Sequence, residues 1–130
     1  MTAVRRRYIV TAEELPTYSP PLHAGTLNRR LVGRDVTASE AVEVVLGVVE
    51  PGGRAERHTH DVEQVVYILE GRALVEVDGE ARECGPGTTC FFPPGVAHRV
   101  ESLGPASLRV LVIYAPPLER SRAAQPFRPA

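Results

Sequence analysis

Between residues 42 and 115 the chain falls into short apolar runs separated by glycine and proline. VEVVLGVV (42–49) is rich in β-branched residues and stops at the turn sequence EPGG. VVYIL (65–69) ends near Gly71, and ALVEVDGEARE (73–83) alternates around Asp78-Gly79. TTCFF (88–92) ends at Pro93-Pro94-Gly95, and LRVLVIY (108–114) ends at Pro116-Pro117. Branched and aromatic side chains suit a pleated backbone, Asp-Gly tolerates the positive φ of a tight hairpin, and proline cannot continue a ladder. Strands at this spacing predict an all-β, antiparallel sandwich or barrel. The one helical signal is TAEEL (11–15), with Thr11 and Glu14 in capping-box register.

Periodicity is weaker outside that core. LPTYSPPLHAG (15–25) carries too many prolines for a central strand. Residues 1–40 are therefore predicted to form an N-terminal arm and edge strands packed on the barrel, with the barrel itself spanning 41–117. The segment 118–130 is polar and proline-bearing, which predicts a mobile tail. In 108–114 both strand faces are apolar: Leu108, Val110, Val112 and Tyr114 on one, Leu111 and Ile113 on the other. One face can pack inside and the other against a second subunit, so a homodimer is expected.

Composition narrows the function classes. A chain of 130 residues holds one domain, and a formal net charge of −1 gives no basic field for nucleic acid. All 15 cationic residues are arginine, which removes any chemistry needing a lysine amine. No apolar run approaches the roughly 20 residues that span a bilayer, so no membrane association is expected. The N-terminus lacks the pattern of a secretory signal, and a cytoplasmic location with reduced Cys84 and Cys90 is expected.

Chemistry is concentrated in GGRAERHTHDVEQVVYILEG (52–71) and PPGVAH (93–98). Alternate residues of a strand share a face, so His58 and His60 point together, as two ligands to one ion must. In a continuously extended chain Gln64 shares their face and Glu63 does not; a bulge at Asp61-Val62 would reverse this. His98, after its own turn, is a third imidazole. His23, the fourth, lies in the proline-rich arm. Imidazoles with a neutral amide suit Zn, Fe, Mn, Ni or Co without choosing among them.

These residues resemble the cupins, whose first motif reads G-x5-H-x-H-x3,4-E-x6-G and second G-x5-P-x-G-x2-H-x3-N. Gly52, His58, His60 and Gly71 match the first, with Gln64 where glutamate is usual. Gly87, Pro93, Gly95 and His98 match the second, with Ser102 in the place of Asn. The resemblance covers about residues 42–115. It implies a double-stranded β-helix, or jelly-roll barrel, with one divalent transition metal ion in its mouth. Some cupins with an HxHxxEQ stretch use the glutamine, so the implied ligands are His58, His60, Gln64 and His98.

A neutral ligand set leaves the full +2 charge on the ion. That favours Lewis-acid chemistry on a carbonyl or enolisable substrate: isomerisation, cyclisation or elimination. A metal-dependent dioxygenase and a non-catalytic small-molecule or metal-binding cupin are the alternatives. The inward positions Val66, Ile68, Ala73, Val75 and Val77 suit an apolar or aromatic substrate. His23, Tyr67 and Arg109 are the candidate catalytic residues, as base, wall and carboxylate anchor.

Overall fold

The structure, a computed structural model, describes residues 7–118 in full and the backbone of residues 128 and 129. Its ten strands are β1 (Thr17–Tyr18), β2 (His23–Val32), β3 (Glu43–Thr59), β4 (Glu63–Glu70), β5 (Ala73–Val77), β6 (Glu80–Cys84), β7 (Thr89–Phe92), β8 (His98–Ser102), β9 (Leu108–Ala115) and β10 (Arg128–Pro129). All pairings are antiparallel, and the main hydrogen-bonded path runs β6-β5-β8-β3-β9-β4-β7. β2 adds to β3 and carries β1. The sheet curls into the expected all-β jelly roll, with Val45, Val66, Ile68, Ala73, Phe92 and Leu108 in its interior. None of the helices among the described residues is long and apolar enough to cross a membrane.

Local chemistry explains the turns. Asp78 (φ 50°) and Gly79 (φ 81°) form the tight connection between β5 and β6. Gly71 sits at φ 88°, and a Cβ there would stand 2.6 Å from the Ser107 carbonyl oxygen and 2.9 Å from Leu108 Cα. Both the backbone conformation and the close approach of β9 therefore require glycine. TAEEL forms a single 3-10 turn over Ala12–Glu14, where the Thr11 N–H donates to the Glu14 carboxylate at 3.4 Å.

The N-terminal region contributes a full strand. β2 pairs along β3 from His23 opposite Ala55 to Val32 opposite Val44. At its base, Glu43 is buried, accepts from Arg30 Nε at 2.7 Å, and accepts from the Leu118 N–H at 2.8 Å. Arg30 also lies over the Tyr18 ring, 4.8 Å from its centroid. This cluster ties β1, β2, β3 and the end of the barrel together. The tail expected to be mobile lies mostly outside the described residues; Leu118 is buried, and the backbone at 128 and 129 pairs with His58 and Thr59.

Removing one partner of a buried pair leaves the other charge desolvated. Glu43→Ala is expected to destabilise the protein by about 3 kcal/mol in urea unfolding, with Glu43→Gln intermediate. A loss below about 1 kcal/mol would show that the cluster is not a structural anchor.

Candidate metal centre

β3 changes its inward parity part-way along. Glu43, Val45, Gly47 and Val49 are buried, as are Gly53 and Ala55, all odd-numbered; the next buried residues are His58 and His60. Against β8, Ala55 pairs with Val100 and His58 with His98, so three steps on β3 match two on β8. One extra residue, a β-bulge around Glu56-Arg57, exposes two neighbours in succession and turns both histidines inward. Without it, the strand's own alternation would aim them at solvent.

The chain does not stay extended from 58 to 64. β3 ends at Thr59, the backbone bends at Asp61 and Val62, and β4 begins at Glu63. Alternation nevertheless survives the bend: Val62 and Gln64 are buried, whereas Asp61 and Glu63 are exposed. The inward orientation of Gln64 was expected, although continuous extension was the wrong reason for it. Gln64 lies opposite Phe92 of β7 on one side and Tyr114 of β9 on the other.

Three imidazoles converge here. His58, His60 and His98 are 3%, 1% and 2% exposed, and their candidate ligand atoms all lie within 4.8 Å of one another. Each ring has its Nδ1 against a backbone carbonyl oxygen: His58 to Glu56 at 2.6 Å, His60 to Val62 at 3.0 Å, His98 to Val96 at 3.0 Å. A carbonyl can only accept, so each Nδ1 carries the proton and each Nε2 keeps its lone pair. The His98 ring is stacked on Phe92 at 4.1 Å and 11°. His60 meets the edge of Tyr114 at 5.7 Å.

Two features of this arrangement fit a cation. His98 Nε2 is buried with no hydrogen-bond partner among the described residues, its lone pair directed toward the other two imidazoles. Gln64 Oε1 lies 2.7 Å from His60 Nε2. Two lone pairs at that distance repel unless a cation lies between them or the amide turns its NH₂ inward. The three-histidine group could hold a metal ion, as expected. Burial favours the neutral imidazole at His58 and His98, the form that ligation requires. Desolvation is the largest cause in each case: it lowers His58, and it brings His98 down to about 3 with help from the neighbouring histidines.

The pocket around the triad has one polar wall. His23, Thr26 and Asn28 of β2 line it, whereas Val66, Phe92, Val100, Leu108, Val110 and Val112 supply apolar surface. Its cavity volume is about 50 Å³, room for a few small groups rather than an extended chain. His23 Nδ1 is 3.1 Å from Thr26 Oγ1, and its ring centroid is 6.2 Å from that of His58. Burial lowers His23 to about 4, with the charge of His58 acting in the same direction. Thr26 and Asn28 were not singled out from sequence. The register shift between Ala24 and Thr26, at Gly25 with φ 71°, brings residue 23 onto the same face as 26 and 28, hiding the set from a parity reading. Gly47 completes the wall: a Cβ there would come within 2.8 Å of Asn28 Oδ1.

Two proposed catalytic positions fall elsewhere. Tyr67 is 40% exposed, on the opposite face from Gln64, Val66 and Ile68. Arg109 alternates with the inward Leu108 and Val110 and lies 4.0 Å from Glu70 outside. Neither lines the pocket, because strand alternation directs them outward. Among the other aromatic residues, Phe92 and Tyr114 line the pocket and Phe91 is exposed.

Residues 45–114 match the cupin domain family. The chain belongs to the cupins. An uncharacterized protein of Methanocaldococcus jannaschii is 31% identical over 94 residues, spanning 72% of this chain and 75% of that one. A Mycobacterium tuberculosis protein named β-D-galactosidase is 29% identical over 110 residues, 85% of this cupin and 95% of that chain. The polyketide cyclase RemF from Streptomyces resistomycificus shares the fold with a TM-score of 0.78 at 23% identity, covering 95% of this cupin and 85% of RemF.

Depressed imidazole pKa values make stability depend on pH. Below about 6.5 the unfolded chain takes up protons that folded His23 and His98 refuse until about 4 and about 3. Their contribution is complete above pH 6.5 and is lost as pH falls towards those values. Metal-free protein is therefore expected to show falling denaturation midpoints from pH 6.5 to pH 4. His98→Phe, which has nothing to titrate, should show a shallower fall over that window. Parallel curves would contradict the assignment.

Proposed function

We propose that this cupin is a metal-dependent enzyme that uses Lewis-acid chemistry on a small carbonyl or enolisable substrate, with His58, His60, His98 and Gln64 as ligands to one divalent transition metal ion. The observation that carries the reading is the donor set: three neutral imidazoles and an inward amide, with Glu63 exposed on the other face. A divalent ion held by neutral donors keeps its full charge and polarises a carbonyl or enolate oxygen strongly. The protein's own residues do the rest. Phe92, Val66 and Leu108 exclude water and seat an apolar body, while Thr26 and Asn28 offer hydrogen bonds to substrate oxygens. His23, kept neutral by burial and held by Thr26, is the candidate proton acceptor.

The names of the relatives support this reading unequally. The polyketide cyclisation named for RemF agrees with the proposed class of carbonyl chemistry, although a pocket of this size would seat only a small part of such a substrate. Glycoside hydrolysis, implied by the mycobacterial name, ordinarily uses a pair of carboxylates flanking the bond. Among the described residues lining the pocket, none is Asp or Glu. The pocket therefore fits carbonyl chemistry better than sugar hydrolysis.

Purified protein loaded with Zn, Mn, Fe, Ni or Co is expected to bind close to one ion per chain by elemental analysis. His98→Ala should lose most of it, and Glu63→Ala should retain it. In D₂O the loaded protein should exchange the acidic protons of a small 1,3-diketone without consuming oxygen. Oxygen uptake matched to diketone loss would instead identify a dioxygenase. Diketone binding without exchange or loss, for a panel of such substrates, would identify a binding module.

We further propose a homodimer. Phe91, Val65, Tyr67, Ile113, Leu111 and Leu46 lie on outward faces of adjacent strands β7, β4, β9 and β3, and form an apolar band. Phe91 is 49% exposed and Tyr67 40%. A contiguous band of this kind is an association surface. Native mass spectrometry is expected to give a dimer that Leu111→Glu converts to monomer. A monomer for the unmodified protein would overturn the proposal.

A further inference from the structure

A second site lies on the seam of the curled sheet. β6 and β7 are the two ends of its main hydrogen-bonded path, and they are not paired with each other. Between these edges runs a groove of about 170 Å³, lined by Val75, Val77, Arg82, Thr89, Cys84 and Cys90 among others. Cys84 is the last residue of β6 and Cys90 lies within β7. Both thiols are free, belong to the same buried cluster and line the same groove. Cys84 Sγ also lies 3.5 Å from the Arg82 carbonyl oxygen. Two cysteines on opposing, unpaired sheet edges that line one groove are a different arrangement from two cysteines scattered through a core.

We propose that Cys84 and Cys90 form a reversible disulfide across the seam when the protein meets an oxidised small-molecule disulfide. One cysteine, as thiolate, attacks a sulfur of the small disulfide, breaking its S–S bond and releasing one small thiolate. The second cysteine thiolate then attacks the protein-bound sulfur of the mixed disulfide, forming the Cys84–Cys90 bond and expelling the other small thiolate. The two cysteine protons pass to the two released thiolates. The protein loses two electrons and the small disulfide gains them.

The environment sets the pace of this exchange. Burial and the adjacent Cys84 push the Cys90 thiol up to about 11, while the Arg82 guanidinium acts in the opposite direction. Attack by Cys90 is therefore slow at neutral pH and faster as pH rises. The bond joins strands that the sheet itself leaves unjoined. Phe92, two residues beyond Cys90 on the same inward face, carries the stacked His98 ring of the candidate metal site.

The test incubates reduced, folded protein with glutathione disulfide at pH 8, quenches with acid, and measures mass and residual alkylatable thiols under denaturing, non-reducing conditions. The expected product is a monomer lacking two hydrogens, with no alkylatable thiol and a linked peptide pair containing Cys84 and Cys90. Amide exchange in β7 should slow at least about threefold on oxidation. Cys84→Ser should accumulate a single glutathione adduct instead. Retention of both thiols, an end product with only glutathione adducts, or a disulfide between chains would overturn the proposal. Unchanged β7 exchange in the oxidised monomer would overturn its claim to close the seam.

Discussion

One extra residue in β3 determines what this protein can do. A 17-residue strand that runs with its odd positions inward would face His58 and His60 to solvent. The bulge at Glu56-Arg57 exchanges the two faces. It also supplies the carbonyl of Glu56, which accepts the His58 Nδ1 proton at 2.6 Å. The same irregularity thus turns the ring inward and fixes which nitrogen looks into the cavity. The Glu56 N–H is not left open either; it donates to the Leu22 carbonyl at 2.7 Å and ties β3 to the start of β2.

The rest of the site follows from surrounding elements that hold rings rather than ions. Backbone carbonyls fix all three imidazoles in the same tautomer, and Phe92 and Tyr114 limit the rotation of His98 and His60. Because ring orientation is set by backbone and aromatic packing, the cavity is organised before any ligand arrives. That order leaves His98 Nε2 buried and unsatisfied, a local cost that the fold carries for the sake of the site.

Much of this was legible in the sequence, and the reasons are specific. The apolar runs at 42–49, 65–69 and 108–114 became β3, β4 and β9 because β-branched residues on both faces suit a curled sheet. The spacing of His58, His60, Gln64 and His98 carried the site because ligands must share a face. The bulges were hidden: no single residue type marks Glu56-Arg57, and Gly25 is one glycine among eleven. Parity reasoning therefore reached the right face for Gln64 through an extended segment that does not exist, and it missed Thr26 and Asn28. Ser102, in the place of the second motif's Asn, is buried opposite Ala73 with its hydroxyl unpartnered, and nothing in the structure explains that choice.

The central claim is that three imidazoles and one carboxamide surround a single cation. The most direct measurement is an anomalous difference map from crystals of metal-loaded protein, collected at the absorption edge of the added ion. The expected result is one peak in the pocket, within bonding distance of Nε2 of His58, His60 and His98 and of the Gln64 amide oxygen. A peak without one of those imidazoles, a Gln64 side chain turned away from it, or an empty pocket beside ions bound elsewhere would contradict the account.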